Sequence, residues 1–456
     1  MTALDERSGD LVVSIPDVQV ITDPDVTEGY RRDRAGDPDA GHPLAVVRAK
    51  STADVQAVMR WASAADVPVV PRGAGTGLSG GATAVDGGIV LSTELMRNIE
   101  IDPVTRTAVV QPGLINAEVK RAVAEHGLWY PPDPSSFEIC SIGGNAATNA
   151  GGLCCVKYGV TTDYILGLEV VLADGTVVRL GGPRLKDSAG LSLTKLFVGS
   201  EGTLGVITEL TLRLLPPQPP ASTVVASFSS VRDATNAVCE ITRVMRPAML
   251  EFMDRASIAA VEKHLKMGLD LEAHAIIIAQ SDSPGDRGNE IAFMAEVLEH
   301  NNATDVFATD DPAEGEAFTA ARRFAIPAVE RLGHLLLEDV GVPLPKLPAL
   351  IEGIEAIADK RDIVCAVIAH AGDGNTHPLI VHDPADPDQS RRAHLAFGEI
   401  MELAIELGGT ITGEHGVGRL KKGWLPDQVG PNVMDLTRRI KRALDPQNIL
   451  NPGAVL

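Results

Sequence analysis

The sequence predicts an α+β protein with two main domains. Three observations predict it. Short helical and strand-like stretches alternate from residue 43 to 215. A proline-rich segment, Leu214-Leu215-Pro216-Pro217-Gln218-Pro219-Pro220, then interrupts them. Beyond it, strands alternate more cleanly with helical stretches of roughly ten to sixteen residues. Prolines continue neither a helix nor a central strand, so that segment reads as a linker. With 456 residues, 45% hydrophobic and 22% charged, the chain can bury two or three cores.

In order, residues 54–65 have a helical pattern, and Val67-Pro68-Val69-Val70-Pro71 reads as a strand before a glycine-rich loop, Gly73 to Gly81. Gly88 to Leu91 is strand-like, as are Asn98 to Ile101 and Thr107 to Gln111, which flank the turn Asp102-Pro103-Val104-Thr105. Asn116 is expected to cap a helix running to about His126. After the linker, strands are expected near 222–229, 248–253, 274–280, 335–340 and 362–369, and amphipathic helices over 388–407 and 432–445. No internal repeat is evident.

The formal net charge of −21 disfavours nucleic acid and anionic lipid as partners, since both select clustered Lys and Arg. Met1 to Arg7 lacks the basic-then-apolar order of a signal peptide, and no apolar run is long enough to span a bilayer. Cys140, Cys154, Cys155, Cys239 and Cys365 show no C-x-x-C spacing, so free thiols are expected and no iron–sulfur cluster motif is present. The expectation is a cytoplasmic protein, peripheral to the inner face of the membrane at most.

Glycine is concentrated in three blocks. The first is Pro71-Arg72-Gly73-Ala74-Gly75-Thr76-Gly77-Leu78-Ser79-Gly80. Glycines allow close backbone approach, so consecutive N–H groups can converge on a pyrophosphate. The chain runs on toward a strand, not a helix, which argues against a nicotinamide-dinucleotide fingerprint. The second block comprises Pro132-Asp133-Pro134, then Cys140-Ser141-Ile142-Gly143-Gly144-Asn145-Ala146-Ala147-Thr148-Asn149-Ala150-Gly151-Gly152, then Lys157-Tyr158-Gly159; the third is Gly199-Ser200-Glu201-Gly202-Thr203-Leu204-Gly205, with Ile207 just beyond it. Close strand packing explains any one block; three spread over one domain suit a flat, extended cofactor. In order and spacing they resemble the FAD-binding domain of FAD-linked oxidases of the vanillyl-alcohol-oxidase (PCMH) type. The resemblance covers nearly the whole chain and ends at Asn451, which it returns to the flavin. It implies an N-terminal segment (1–42), a two-subdomain FAD-binding domain (43–217), a ferredoxin-like α+β cap (218–425) and a C-terminal helical segment contacting FAD (426–456). Ala74, Gly75 and Thr76 stand where some members carry a flavin-linking histidine, implying noncovalent FAD.

The sharpest local motif is His370-Ala371-Gly372-Asp373-Gly374-Asn375-Thr376-His377, two imidazoles around a turn, followed some forty residues later by Gly413-Glu414-His415-Gly416. Two His and one Glu suit a divalent metal. His42, His126, His264, His274, His300, His382 and His394 read as ordinary structural histidines. The two motifs resemble the subfamily acting on D-2-hydroxy acids, which includes D-lactate, glycolate and D-2-hydroxyglutarate dehydrogenases. That resemblance implies His370, His377 and Glu414 as ligands of Zn or Mn and His415 as general base. It also implies Arg322, Lys346 and Asn375 as substrate contacts; Leu344 and Pro345 stand where relatives are often polar.

The implied activity is oxidation of a small D-2-hydroxy acid, with electrons passed to an external acceptor: a quinone, a cytochrome, an electron-transfer flavoprotein or an iron–sulfur subunit. A homodimer is expected. Three alternatives stay open: a phenol or sugar-alcohol oxidase, a non-redox transferase on the same scaffold, and a flavin-carrying subunit of a glycolate oxidase, inert without an iron–sulfur partner.

Overall fold

The computed structural model describes residues 3–456, with side chains from Arg7 onward. Contacts divide the chain into two compact units. One comprises Met1–Gly151, Val160–Pro217 and Glu414–Leu456; the other comprises Gly152–Gly159 and Gln218–Gly413.

The first unit is built on two sheets. In one, the parallel strands Ala45–Arg48, Ile89–Ser92 and Val69–Arg72 lie side by side, with Gln19–Ile21 antiparallel at the edge. Their near-continuous Val, Ile and Leu packs against Val55, Val58, Met59 and Ala62 of the helix Thr52–Ala65. That apolar run is the signature of parallel strands covered on their faces. Ser51 caps this helix by accepting from Asp54 N. The other sheet is antiparallel, in the order Ile99–Asp102, Thr107–Val110, Val206–Arg213, Ile165–Val171, Val177–Gly181. The helix Asn116–Ala124 does not use Asn116 as its cap. That side chain is buried, and its amide donates to Pro132 O and Asn145 Oδ1, while Glu118 reaches back to Ile115 N. An Asn with two interior acceptors is worth more inside than at the helix mouth.

The C-terminal stretch belongs to this unit. Leu450 bridges Val69 in parallel, and Asn451 N donates to Val69 O. The turn is locked by Lys441, whose buried ammonium donates to Thr203 O, Leu450 O and Asp445.

The second unit has an antiparallel sheet of eight strands. Ser222–Phe228 and Met249–Asp254 run parallel with Ala275–Ser281 between them, and Ala303–Thr309 lies outside Ser222–Phe228. The helices Val231–Val244 and Arg287–His300 connect them, which makes this the split βαβ arrangement of a ferredoxin-like fold. The sheet continues through Val364–His370 and Asn375–His382 to His334–Leu337, with the short Val340–Gly341 also on Asn375–His382. The run expected at 335–340 is thus two strands. Two further strands escape sequence patterning. Ala303–Thr309 is a mostly exposed edge without a buried face, and Asn375–His382 carries Pro378 although neighbours pair on both its sides. Among the described residues, no helix is long and apolar enough to cross a membrane, and no disulfide joins the cysteines.

Lys441→Met removes the counter-charge of buried Asp445. It should cost the first unit about 3–5 kcal/mol, read as a lower denaturant midpoint.

Candidate active site

The first glycine block leaves the strand Val69–Arg72 as a loop whose backbone is held from one side. Gly75 O accepts from Arg34 N and Gly77 O from Ala35 N. In a trans peptide the N–H points opposite the carbonyl, so the amides of Thr76 and Leu78 face the other way, as an anion-binding backbone requires. Gly75 has φ +73°, and a Cβ there would stand 2.1 Å from the Arg72 guanidinium, so the tight loop depends on glycine. Arg72 is itself buried and donates to Arg32 O, so it shores up the loop from within. Ser141 ties the second block to the first: its Oγ accepts from Ala74 N and caps the helix Ile142–Thr148 at Gly144 N. Asn145 is buried, its amide engaged with Asn116 and Cys140. Gly152, Tyr158 and Gly159 fall in the second unit, where Lys157 and the Tyr158 hydroxyl bond the buried carboxylate of Asp282. An outward-facing run of backbone amides on a glycine loop fits the pyrophosphate of FAD.

The third block meets the His415 segment in the same unit. Glu201, at φ +49°, accepts from Val417 N at 2.7 Å and from Gly418 N at 2.8 Å. Ser79 completes the junction. Its hydroxyl donates to His415 O at 2.8 Å, and its carbonyl accepts from Arg419 N and Leu420 N. A Cβ on Gly418 would lie 2.0 Å from Ser79 O, so only glycine permits this approach. Asn451 seals it, its amide donating to Gly81 O and Glu201 O. Four stretches distant in sequence therefore converge beside the first loop, and His415 is carried there. Glu414 follows the same course, its carboxylate 3.8 Å from His415 Nε2. Burial pushes the Glu201 carboxyl up to about 7, although both backbone donors and Lys421 pull it down.

In the second unit, the hairpin of Val364–His370 and Asn375–His382 sets Asn375 opposite His370 and His377 opposite Ile368. Strand alternation then puts His370, Asn375 and His377 on one face. The two rings stand 5.1 Å apart at 85° and offer nitrogens within 4.8 Å of each other. The register Phe252 to Ala369 brings Glu251 opposite His370, whose Nδ1 lies 2.9 Å from its carboxylate. Arg322, 1% exposed, pairs with the same carboxylate at 2.8 Å. Asp339 lies 3.8 Å from His377 and accepts from Thr412 Oγ1 and Gly413 N. An imidazole oriented by a carboxylate on one nitrogen, as His370 is by Glu251, is the usual support of a bound metal, so this donor set fits a divalent ion. Lys346 is exposed, at the mouth of the helix Leu347–Arg361.

Glu251 and Asp339 were not anticipated from the sequence. Glu251 stands alone in the apolar run Met249-Leu250-Glu251-Phe252-Met253, and a buried carboxylate requires a partner.

Two family models match the chain: "FAD binding domain" over residues 43–181 and "FAD linked oxidases, C-terminal domain" over 218–455. The chain belongs to the FAD-linked oxidases. This FAD-linked oxidase is 43% identical over 415 residues to the glycolate oxidase subunit GlcD of Bacillus subtilis (strain 168), covering 90% of this chain and 88% of that protein. It is 36% identical over 425 residues to the D-lactate dehydrogenase of Archaeoglobus fulgidus, covering 92% and 93%. Among solved structures it resembles substrate-bound p-cresol methylhydroxylase, with TM-score 0.83 at 17% identity over 99% and 96% of the two chains. It also resembles the 4-ethylphenol oxidase of Gulosibacter chungangensis, with TM-score 0.78 at 20% identity over 100% and 98%. At such identities the solved structures speak for the fold alone. The chain is thus an FAD-binding oxidoreductase.

Between about pH 4.5 and 7, Glu201 holds a proton in the folded chain that it has lost in the unfolded one. Folding stability therefore falls as pH rises through that window. Glu201→Gln should lose less stability than the wild type between pH 5 and 7, measured by urea denaturation at each pH.

Proposed function

We propose that this oxidase converts a small D-2-hydroxy acid (D-lactate, glycolate or D-2-hydroxyglutarate) to the 2-keto acid, with His415 as general base. The observation that carries it is the anchorage of the His415 segment on Ser79 and Glu201, beside the glycine loop that fits FAD. Relatives that act by name on glycolate and D-lactate support the substrate class.

FAD, when bound, supplies the two-electron oxidant that takes the Cα hydrogen as hydride. His415 receives the hydroxyl proton; a positioned base contributes about 10²–10⁴-fold. His370, His377 and Glu414 would hold a Zn or Mn ion, whose Lewis acidity would make this proton easier to remove. Arg322 and Lys346 take the substrate carboxylate, and Asn375, opposite His370, adds a polar contact. One edge of the Arg322 fork stands on Glu251, which fixes its plane. Electrons leave to an external acceptor, since the sequence has no cluster motif. A second reading, favoured by the likeness to a glycolate oxidase subunit, makes the chain the flavin carrier of a larger assembly.

Anaerobic addition of D-lactate to the FAD-loaded protein should bleach the flavin absorbance, and L-lactate should not. Failure of D-lactate, glycolate and D-2-hydroxyglutarate alike would exclude a self-sufficient dehydrogenase and leave the assembly reading. His415→Ala should keep its yellow colour while reduction by the hydroxy acid slows about 10²–10⁴-fold. An unchanged rate removes His415 from the base role.

A further inference from the structure

Three more histidines of the second unit gather at one end of its sheet, on residues distinct from those of the proposed active site. His334 opens the outer strand His334–Leu337, His382 closes Asn375–His382 directly opposite it, and His394 lies on the helix Pro387–Glu406. The His382 ring is 5.1 Å from that of His334 and 5.8 Å from that of His394, nearly perpendicular to both.

His382 is the anomaly. It is 3% exposed, and neither ring nitrogen makes a well-formed hydrogen bond. An imidazole taken from water without such a bond is a costly group. Burial, and then the two neighbouring rings, hold it below the usual imidazole range, against a weaker upward pull from Asp383. It is thus neutral at physiological pH, the form that binds metal.

His394 adds an independent sign. Its Nδ1 lies 2.7 Å from Ser390 O, and a carbonyl only accepts, so the proton is on Nδ1 and Nε2 keeps its lone pair. Metal-ligating histidines are oriented in just this way, by donating their other N–H to a backbone carbonyl. Two imidazoles on one tetrahedral ion, with bonds of about 2.1 Å, have ring centres roughly 5 Å apart. The first pair already has that spacing, and the 5.8 Å between the His382 and His394 rings exceeds it by less than about 1 Å, which a small shift of the His394 side chain closes with its Ser390 bond kept. The arginines on the same helix turn as His394 are themselves paired: Arg391 and Arg392 both bond Asp388.

We propose that His334, His382 and His394 form a second cation site, selective for imidazole-preferring divalent ions such as Zn²⁺, Cu²⁺ or Ni²⁺, with water in the open position. The ion ties the outer strand to the helix Pro387–Glu406. The strand His334–Leu337 pairs with only one neighbour in its sheet, so the clip secures an otherwise loosely held edge.

The test uses the full-length FAD-loaded protein, stripped with a chelator, dialysed against Zn²⁺ and assayed for retained zinc by atomic emission. Wild type should keep one equivalent more than His334→Ala/His394→Ala, a double variant of exposed residues, and Zn²⁺ should raise its melting temperature further. Equal retention by the two proteins overturns the proposal. A parallel His377→Ala variant separates this from the active-site metal. If that ion is absent, His377→Ala retains as much zinc as wild type while the one-equivalent difference at the His334 cluster persists.

Discussion

The carboxylate of Glu201 accepts two backbone N–H groups from a segment more than two hundred residues further along the chain. To do so, Glu201 adopts a left-handed backbone conformation that costs a non-glycine residue about 1–2 kcal/mol, and it buries an acid that burial alone would neutralise. Both costs are tolerated because the same residue fastens the third glycine block, through its own carbonyl, to Asn451. If this junction loosened, the loop from Glu414 to Arg419 would lose two of the hydrogen bonds that carry His415 beside the first glycine loop. In the base role proposed for His415 such freedom would be costly, since misplacement by about 1 Å can cost a hundredfold in rate.

The second unit solves a related problem with buried charge. Glu251 serves two partners, the Arg322 guanidinium and the His370 ring, so one carboxylate fixes both the plane of a fork and the direction of an imidazole. Removing such a carboxylate would strand a cation in the interior, which is far worse than never having buried the pair. The arrangement is best understood as positioning: it trades stability for defined geometry around His370.

Much of this was legible beforehand, and the failures are instructive. The glycine blocks and the two histidine motifs are local, and short-range patterns report local constraints faithfully. Arg322 was found by its likeness to a family position, but its partner Glu251 was not, because a buried ion pair joins residues whose spacing in sequence carries no information. Asn116 looked like a helix cap by type, yet tertiary contacts with Pro132 and Asn145 outbid the local preference. Pro378 concealed a central strand, since proline normally argues against one. The individual histidines 382 and 394 read as unremarkable; only the sheet register and the helix above it made them neighbours.

The parallel bridge between Leu450 and Val69 has a bearing on how the molecule is made. Strand Val69–Arg72 is synthesised before the insert Gln218–Gly413, but the residues that finish its hydrogen bonding come only after that insert. The span Gln218–Gly413, with its own sheet, is by contrast complete before Leu450 is added. Domains generally fold as units during synthesis. Here the inserted one can mature while the enclosing one still lacks the segment that bridges Val69.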